Sequence, residues 1–340
     1  MMTNVSQANR IATIETPLGQ DLLFDGMNAD EAVGYPFRFE LSLCSLRGDL
    51  PADNVLGKSA LVRMQCSYGT GTRLFHGFFT RFALVRSDGE LFFYKATLSP
   101  WLWFLARSAN CRIFQDQSLP EIVENVFKAG GFGPFYFERR LRGSYTPWEY
   151  CVQYRETDYA FVSRLMEQEG IYYYFEHYEN RHILILSDAP TSHKANPGYE
   201  SVKWQSKSQG EDDVERMHYW SIEQTHQTGS YRHTDYDFTN PKQRLQTHYS
   251  LQGDYARPDY EIYDYPGEYN KLHDGEEWAR VRMQSLQSGT RLATGYGGVR
   301  GLCAGALFLL VKRADPGRLQ RHSNARLSRR RTRPEACRRS

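Results

Sequence analysis

The stretch Tyr145–His177, YTPWEYCVQYRETDYAFVSRLMEQEGIYYYFEH, changes its hydrophobic period midway, and that change decides the fold class. Thr157 is a helix N-cap residue, and the pairs Phe161/Leu165 and Val162/Met166 recur at i,i+4 before Gly170 stops the helix. Directly afterwards Ile171–Phe175 is a run of β-formers, and with His182–Leu186 it predicts a hairpin. Upstream, Ser118-Leu-Pro-Glu121 is a capping box with proline inside the first turn, and Gly130-Gly131 supplies the stop. The helix between them is expected to bury Ile122, Val123, Val126 and Phe127. The middle of the chain therefore mixes helices with strands.

On either side, strands dominate. Phe37–Leu43 (FRFELSL) alternates apolar and polar residues as a half-buried strand does. Thr72–Arg86 and Leu91–Ser99 flank Asp88-Gly89, a two-residue hairpin signal that would set Val85 opposite Phe92 and Ala83 opposite Tyr94. Both faces of that hairpin carry apolar residues, which predicts burial on both sides. Past Ser201, Met217–His226 and Tyr231–Phe238 flank Gly229-Ser230, compatible with a type II′ turn. Tyr255–Tyr269 reads as an irregular connection, Gly275–Gln287 as a helix, and the Gly-rich Thr294–Gly301 precedes one more apolar strand. The expected fold class is α+β, mainly antiparallel β, with boundaries near 110, 205 and 308.

At 340 residues the chain has room for two or three domains. Hydrophobic residues at 40% and charged residues at 24% exclude wholesale disorder and fibrous repeats. The longest apolar run, Leu302–Val311, is about half the roughly 20 residues a membrane-spanning helix needs, so no membrane span is expected. The N-terminus lacks an apolar core, so no ordinary secretory signal is visible. Six scattered cysteines, Cys44, Cys66, Cys111, Cys151, Cys303 and Cys337, contain no Cys-x-x-Cys pair; this argues against a disulfide framework or zinc ribbon and suits a reducing compartment. Aromatic content is high, with 23 Tyr, 19 Phe and 6 Trp, which favours β-rich packing and large subunit interfaces. The charge is split: Leu309–Ser340 carries a net +9 against −7 for everything before it, and contains no aromatic residue. The chain changes character near Phe308.

Candidate chemistry is thin. His218 and His226 are too far apart along one strand, roughly 27 Å, to share an ion. A two-residue loop at Gly229-Ser230 would place His226 directly opposite His233, but two imidazoles without a third ligand are an exposed cross-strand pair, not a zinc site. Asp158, Glu167 and Glu169 on the Thr157 helix read as a dipole-favoured acid and solvated glutamates, not a glycosidase pair. Asp235, Asp237, Asp259 and Asp264 read as polar faces and turn formers. No Gly-x-Ser-x-Gly, His-Glu-x-x-His or phosphate-loop motif occurs, and Thr294-Gly-Tyr-Gly-Gly298 lacks the lysine of a phosphate cradle and reads as a flexible turn. The cysteines have no neighbouring histidine. The basic tail, including Arg329, Arg330, Arg331, Arg333, Arg338 and Arg339, has no aromatics to stack on bases and reads as a solvated terminus. Tyr172–Phe175 and the Trp101/Trp103 pair could bind sugar rings, but core or interface packing is the simpler use. No catalytic, cofactor-binding or metal residue is assigned.

The quoted stretch resembles the signature of the type VI secretion spike proteins (VgrG, also called Rhs-element Vgr proteins). GYPFRFELSLCS from Gly34, LFHGFFTRF from Leu74, FTNPKQRL from Phe238 and GTRLATGYGGVRGLCAGALF from Gly289 resemble further blocks of that family in the same order, over roughly residues 10–308. The resemblance implies two phage tail hub-like β-barrels with an α/β insertion between them: a first barrel over 1–110, the insertion over 111–205, and a second barrel with inserted elements over 206–308. Residues 309–340 are left as a disordered basic tail. It implies a homotrimer whose barrels form a six-barrel ring on a hexameric tube protein, with effector or tip-protein cargo above and no catalysis.

The family usually continues into an oligonucleotide-binding-fold barrel and a β-helical needle, and the match fades near Phe308. The expectation is therefore a truncated or frameshifted, and so defective, member with an incomplete second barrel. It would be assembled in the cytoplasm and delivered through the type VI apparatus, with no nucleic-acid partner and no cofactor. The alternative weighed is a carbohydrate-binding or carbohydrate-active β protein, which would need exposed aromatic rings facing carboxylates across a groove.

Overall fold

The computed structural model describes residues 6–7, 10–67, 71–204, 215–312 and 320–322. They fall into two compact units, one made of Met1–Val162, Tyr172–Tyr219 and Tyr296–Ser340, the other of Ser163–Ile171 and Trp220–Gly295.

The first unit opens with six strands, β1 (Ala12–Glu15), β2 (Leu23–Ala32), β3 (Tyr35–Ser45), β4 (Ser59–Gln65), β5 (Thr72–Ser87) and β6 (Phe92–Ser99). All pair antiparallel, in the order β1-β4-β5-β6-β3-β2. The terminal strands are tied by one side chain. The Gln7 amide accepts from Ile14 N (2.8 Å) and Phe24 N (3.2 Å) and donates to Ile14 O (3.1 Å), while Arg10 Nη1 donates to Phe24 O at 2.7 Å. Strand β3 buries alternate residues, as its pattern predicts: Phe37, Phe39, Leu41 and Leu43 are at most 2% exposed. Phe37 stacks on Phe39 and meets the edge of Phe175, so the sheet and the later hairpin share one aromatic core.

The β5–β6 hairpin exists, with a different register. Its loop spans four residues, closed by Asp88 N to Leu91 O (3.1 Å) and by Leu91 N to Asp88 Oδ1 (2.8 Å). Ala83 therefore faces Lys95 and Leu84 faces Tyr94, while Val85 lies in an irregularity between Leu84 and Arg86 and pairs with nothing. The tip is not buried on both sides, since Leu84 and Val85 are about half exposed.

Next come β7 (Ala109–Phe114), α1 (Leu119–Ala129), β8 (Phe137–Arg140), β9 (Cys151–Thr157), α2 (Asp158–Glu169), β10 (Tyr172–His177) and β11 (His182–Ser187). Both helices follow their local signals. Ser118 and Glu121 close the capping box on α1, whose Ile122, Val123, Val126 and Phe127 are buried. Thr157 Oγ1 accepts from Ala160 N (3.1 Å) at the start of α2. Gly170, at φ +70°, ends it with Ile171 N donating to Met166 O at 2.8 Å, the C-cap arrangement that needs a left-handed residue. β10 and β11 form the predicted antiparallel hairpin, and β8 joins β11 in parallel. β7 and β9 make a separate two-stranded ribbon.

The remaining elements are β12 (Lys194–Ala195), β13 (Ser201–Trp204), β14 (Met217–Gln224), β15 (Ser230–His233), β16 (Thr247–Ser250), β17 (Glu261–Asp264), α3 (Leu272–Gln287), β18 (Arg291–Gly297), β19 (Ala306–Lys312) and β20 (Gln320–His322). One sheet runs β12-β19-β13-β14-β18, with β19 parallel to β12 and β13 and β20 antiparallel to β19. It recruits strands from both sides of the boundary expected near 205. Its apolar strand also continues past Phe308 to Lys312, and Gln320–His322 returns to pair with it, so the sheet extends beyond the composition break. The tail arginines from Arg329 onward lie outside the described residues.

In the second unit β15 pairs antiparallel with β16 and parallel with β17 over α3, whose Ala279 and Met283 pack with Tyr231. Two readings change here. The segment Tyr255–Tyr269, expected to be irregular, contains β17. Strands β14 and β15 form no hairpin, because β15 takes both its partners from later in the chain.

Candidate functional site

The first unit buries three imidazoles against one another, one from each of three strands: His76 on β5, His177 on β10 and His182 on β11. His182 Nε2 accepts the main-chain N–H of Trp101 (3.0 Å), so its proton sits on Nδ1, 3.0 Å from His76 Nδ1, which must then accept. His177 Nδ1 accepts from His76 N at 3.1 Å, and His177 Nε2 lies 3.5 Å from Glu31 Oε1. Glu31 is paired in turn with Arg73. Burial holds His182 well below the usual imidazole range and His76 down at about 4, with charge on His177 acting in the same direction. Burial alone would push the Glu31 carboxyl up, but Arg73 and His177 outweigh it and hold it at about 2. With these lone pairs committed to protein donors, the cluster is a structural junction. Among the described residues no group of three or more His, Cys, Asp or Glu could hold a metal ion.

No local sequence signal marks these three histidines: 106 residues separate His76 from His182, and only the tertiary fold unites them. His226 and His233 lie apart. His226 Nε2 bonds to Ala256 O (3.1 Å), while buried His233 donates from Nε2 to Gly275 O (2.7 Å). They are not cross-strand neighbours, because β15 does not pair with β14.

The acids settle into structural roles. Asp158 is buried and accepts from Arg112 Nη2 (2.8 Å), Ser108 Oγ (2.9 Å) and Gln153 Nε2 (2.8 Å), leaving nothing for acid–base chemistry. Asp237 accepts from Thr239 N and Oγ1, Asp235 from Tyr236 N, and Asp264 from Tyr231 Oη (3.0 Å). The run Thr294–Gly297 belongs to strand β18, not to a turn: a Cβ on Gly297 would stand 2.2 Å from Arg216 O, so glycine permits close backbone approach there. Burial pushes the Cys303 thiol up to about 11 and Cys66 upward as well, away from nucleophilic use.

The aromatic clusters weighed as sugar platforms are core. Trp101 is fully buried, stacked on Phe132 and donating Nε1–H to Tyr136 O, and Tyr173, Tyr174 and Phe175 are at most 7% exposed. Trp103 is half-buried under the Arg107 guanidinium. What the chain does expose is apolar sheet surface. On the β7–β9 ribbon Ile113 faces Val152 and Cys111 faces Tyr154, all four exposed on one side, while Phe114, Cys151 and Gln153 fill the other. In the second unit every residue of β17 is exposed, and Tyr260 and Tyr265 flank it. Such surfaces suit association rather than catalysis.

The profile of the phage tail baseplate hub (GPD) family matches residues 30–323. The chain belongs to that family. Over 307 residues this hub chain is 42% identical to the type VI secretion system spike protein VgrG1b of Pseudomonas aeruginosa, covering 90% of this chain and 41% of that relative. It is 43% identical to VgrG1a of the same organism over 305 residues, 89% of this chain and 47% of the relative. The chain thus spans less than half the length of these curated relatives. Among solved structures, an E. coli component of the type VI secretion system, described as similar to the T4 bacteriophage tail proteins gp27 and gp5, superposes with a TM-score of 0.61 at 18% identity, covering 91% of this chain and 66% of that one. The 43 kDa tail protein of prophage MuSo2 from Shewanella oneidensis gives 0.60 at 10% identity, covering 91% of each chain. At such identities the likeness shows fold: a mainly antiparallel phage tail hub.

Proposed function

We propose that this chain supplies the hub portion of a type VI secretion spike, a mechanical and non-catalytic role. The observation that carries the reading is the 42–43% identity to proteins named as spike proteins over about nine-tenths of the chain. The six-stranded antiparallel sheet supports a first barrel over 1–110, followed by an α/β insertion and a second barrel built around the sheet that joins β12 and β13 to β14, β18 and β19. Three copies would set six barrels in a ring against a hexameric tube protein, with cargo or a tip protein on the far side. Assembly is in the cytoplasm and exit is through the type VI apparatus. No helix among the described residues is long and apolar enough to cross a membrane.

Exposed apolar faces such as that of the β7–β9 ribbon need cover, and closed symmetric association provides it. Light scattering on the purified chain tests the reading. Three copies of the 39.5 kDa chain give a mass of about 118 kDa; a monodisperse 39.5 kDa species at micromolar concentration refutes it.

A further inference from the structure

Strand β17 is the outer strand of its sheet, paired on one side only, in the order β16-β15-β17. Ser230 N donates to Tyr260 O (3.1 Å) and the parallel register sets Ser230 beside Glu261, so Tyr260 and Ile262 turn their main-chain groups toward β15. By alternation Glu261 and Tyr263 direct theirs to the open edge. Both faces are exposed: Ile262 is 39% exposed and Tyr263 59%, with Tyr260 and Tyr265 flanking at 53% and 59%. A bare edge of this kind is ordinarily masked, because it pairs with any strand it meets. Here the mask is electrostatic. Residues 254–268 hold five acids (Asp254, Asp259, Glu261, Asp264, Glu268) and one base, Arg257; of the acids, Glu261 is paired with Arg232 on β15. Two copies of such an edge repel each other, whereas a basic strand is attracted.

A second feature in the same unit points the same way. A cleft of about 370 Å³ opens at the C-terminal end of β17, lined among others by Glu167, His233, Asp264, Glu268, Trp278 and Arg282. His233 is 97% buried. Its Nε2–H is spent on Gly275 O (2.7 Å), so Nδ1 is a bare acceptor, without a hydrogen-bond partner among the described residues. A Cβ on Gly267, another lining residue, would stand 3.3 Å from that atom, so glycine keeps the approach clear. Nδ1 is therefore an acceptor open to the cleft, whose wall carries three carboxylates and an indole against two bases, Arg164 and Arg282, a balance that favours a ligand that donates hydrogen bonds and carries a single positive charge.

We propose that β17 and this cleft together receive an extended, lysine- or arginine-bearing segment of a partner protein. The segment adds as a fourth strand beyond β17 through the main-chain groups of Glu261 and Tyr263. It delivers one cationic side chain past Asp264 to the His233 acceptor. Hydrogen bonds along the edge supply affinity, and the acids select the basic sequence.

The test titrates the intact chain with three fluorescein-labelled peptides: one alternating lysine with valine, its glutamate counterpart, and the lysine peptide interrupted by a central proline. Fluorescence anisotropy at low salt should show saturable binding of the first alone, with the proline peptide about tenfold weaker because it cannot complete the ladder. Tyr263→Pro, which removes an outward donor, and the charge-only variant Asp264→Asn/Glu268→Gln should each weaken the lysine peptide, while mass by light scattering stays that of the parent. Absence of binding overturns the proposal. So does equal binding of lysine and glutamate peptides, or binding that neither proline nor the charge variant alters. The outcome is independent of whether the chain trimerises, so failure here leaves the hub reading standing.

Discussion

Acid should loosen this protein through its buried imidazoles, between pH 6.5 and about 4. Unfolded histidines titrate near 6.5, whereas His76 is held at about 4 in the fold and His182 is also well below its ordinary value. Above pH 6.5 both rings are neutral in either state, and their contribution to stability is complete. As pH falls through 6.5 the unfolded chain takes up protons that the folded chain refuses, and stability drains away until the folded rings titrate. The geometry explains the refusal. A proton on His182 Nε2 would confront the Trp101 N–H that it now accepts, and one on His76 Nδ1 would set two N–H groups head to head at 3.0 Å. Glu31 works in a different window: held at about 2 against an ordinary 4.5, it contributes above pH 4.5 and loses its contribution only below that.

Between pH 7 and pH 5 the His76 ring therefore costs about 2 kcal/mol, and His182, lowered in the same direction, adds to the loss. Urea denaturation followed by tryptophan fluorescence at half-unit pH steps measures the slope. Buried His233 is lowered in the same sense, so the informative comparison is with His182→Gln, which can still accept from Trp101 but does not titrate. The variant should be less stable at pH 7 yet lose less stability than the parent on going to pH 5. An unchanged pH slope in His182→Gln would refute the reasoning, because the protons would then be taken up elsewhere.

Three further outcomes follow from single contacts. Gln7→Leu strips two main-chain donors and one acceptor at the junction of β1 and β2; it should cost about 2 kcal/mol and raise amide exchange at Ile14 and Phe24 selectively. Asp158→Ala leaves Arg112 without its carboxylate and removes one of the two acceptors of buried Gln153, and should cost about 3 kcal/mol in urea unfolding, whereas Asp158→Asn should recover part of the loss. Gly297→Ala drives a methyl into the backbone at Arg216 and Met217, and should cost about 3 kcal/mol, read as a lower melting temperature with the β10–β11 hairpin still protected from exchange.

Elements whose signals are satisfied by their own neighbours could be read from the sequence. Thr157 caps a residue three positions on, Ser118 and Glu121 close on each other, and Gly170 lets Ile171 reach back to Met166. Errors began where main-chain irregularity intervened. The turn at Asp88 was legible, but register shifts after Phe79 and Leu84 and a longer loop moved each partner along, and no side-chain pattern marks a bulge. Long-range pairing was beyond reach altogether. Gly229-Ser230 carries a fair hairpin signature, yet β15 gains more by lying between β16 and β17 over α3, a choice set by strands some 20 to 30 residues away. The same limit hid the histidine cluster: each ring sits in an apolar strand with nothing local to set it apart.

The aromatic surplus has a different meaning from the one its abundance suggests. Segments thick with tyrosine and phenylalanine were expected to bind neighbouring copies, yet Tyr173, Tyr174, Phe175 and Trp101 are spent inside the first unit, where Phe37 and Phe175 join sheet to hairpin. Rings left exposed include Tyr154, where alternation leaves one face of a narrow ribbon bare, Tyr263, where an edge strand is bare on both faces, and Phe238 in a connecting loop. The distinction is a matter of how many layers cover a strand. A strand inside the six-stranded sheet has one face packed and both edges paired, so its large side chains are consumed by the fold. A two-stranded ribbon or an outer strand has too few neighbours to consume them. Composition counts rings, but topology decides which of them can face a partner: the β7–β9 ribbon and β17 leave Tyr154 and Tyr263 bare, whereas β10 buries Tyr173 and Tyr174.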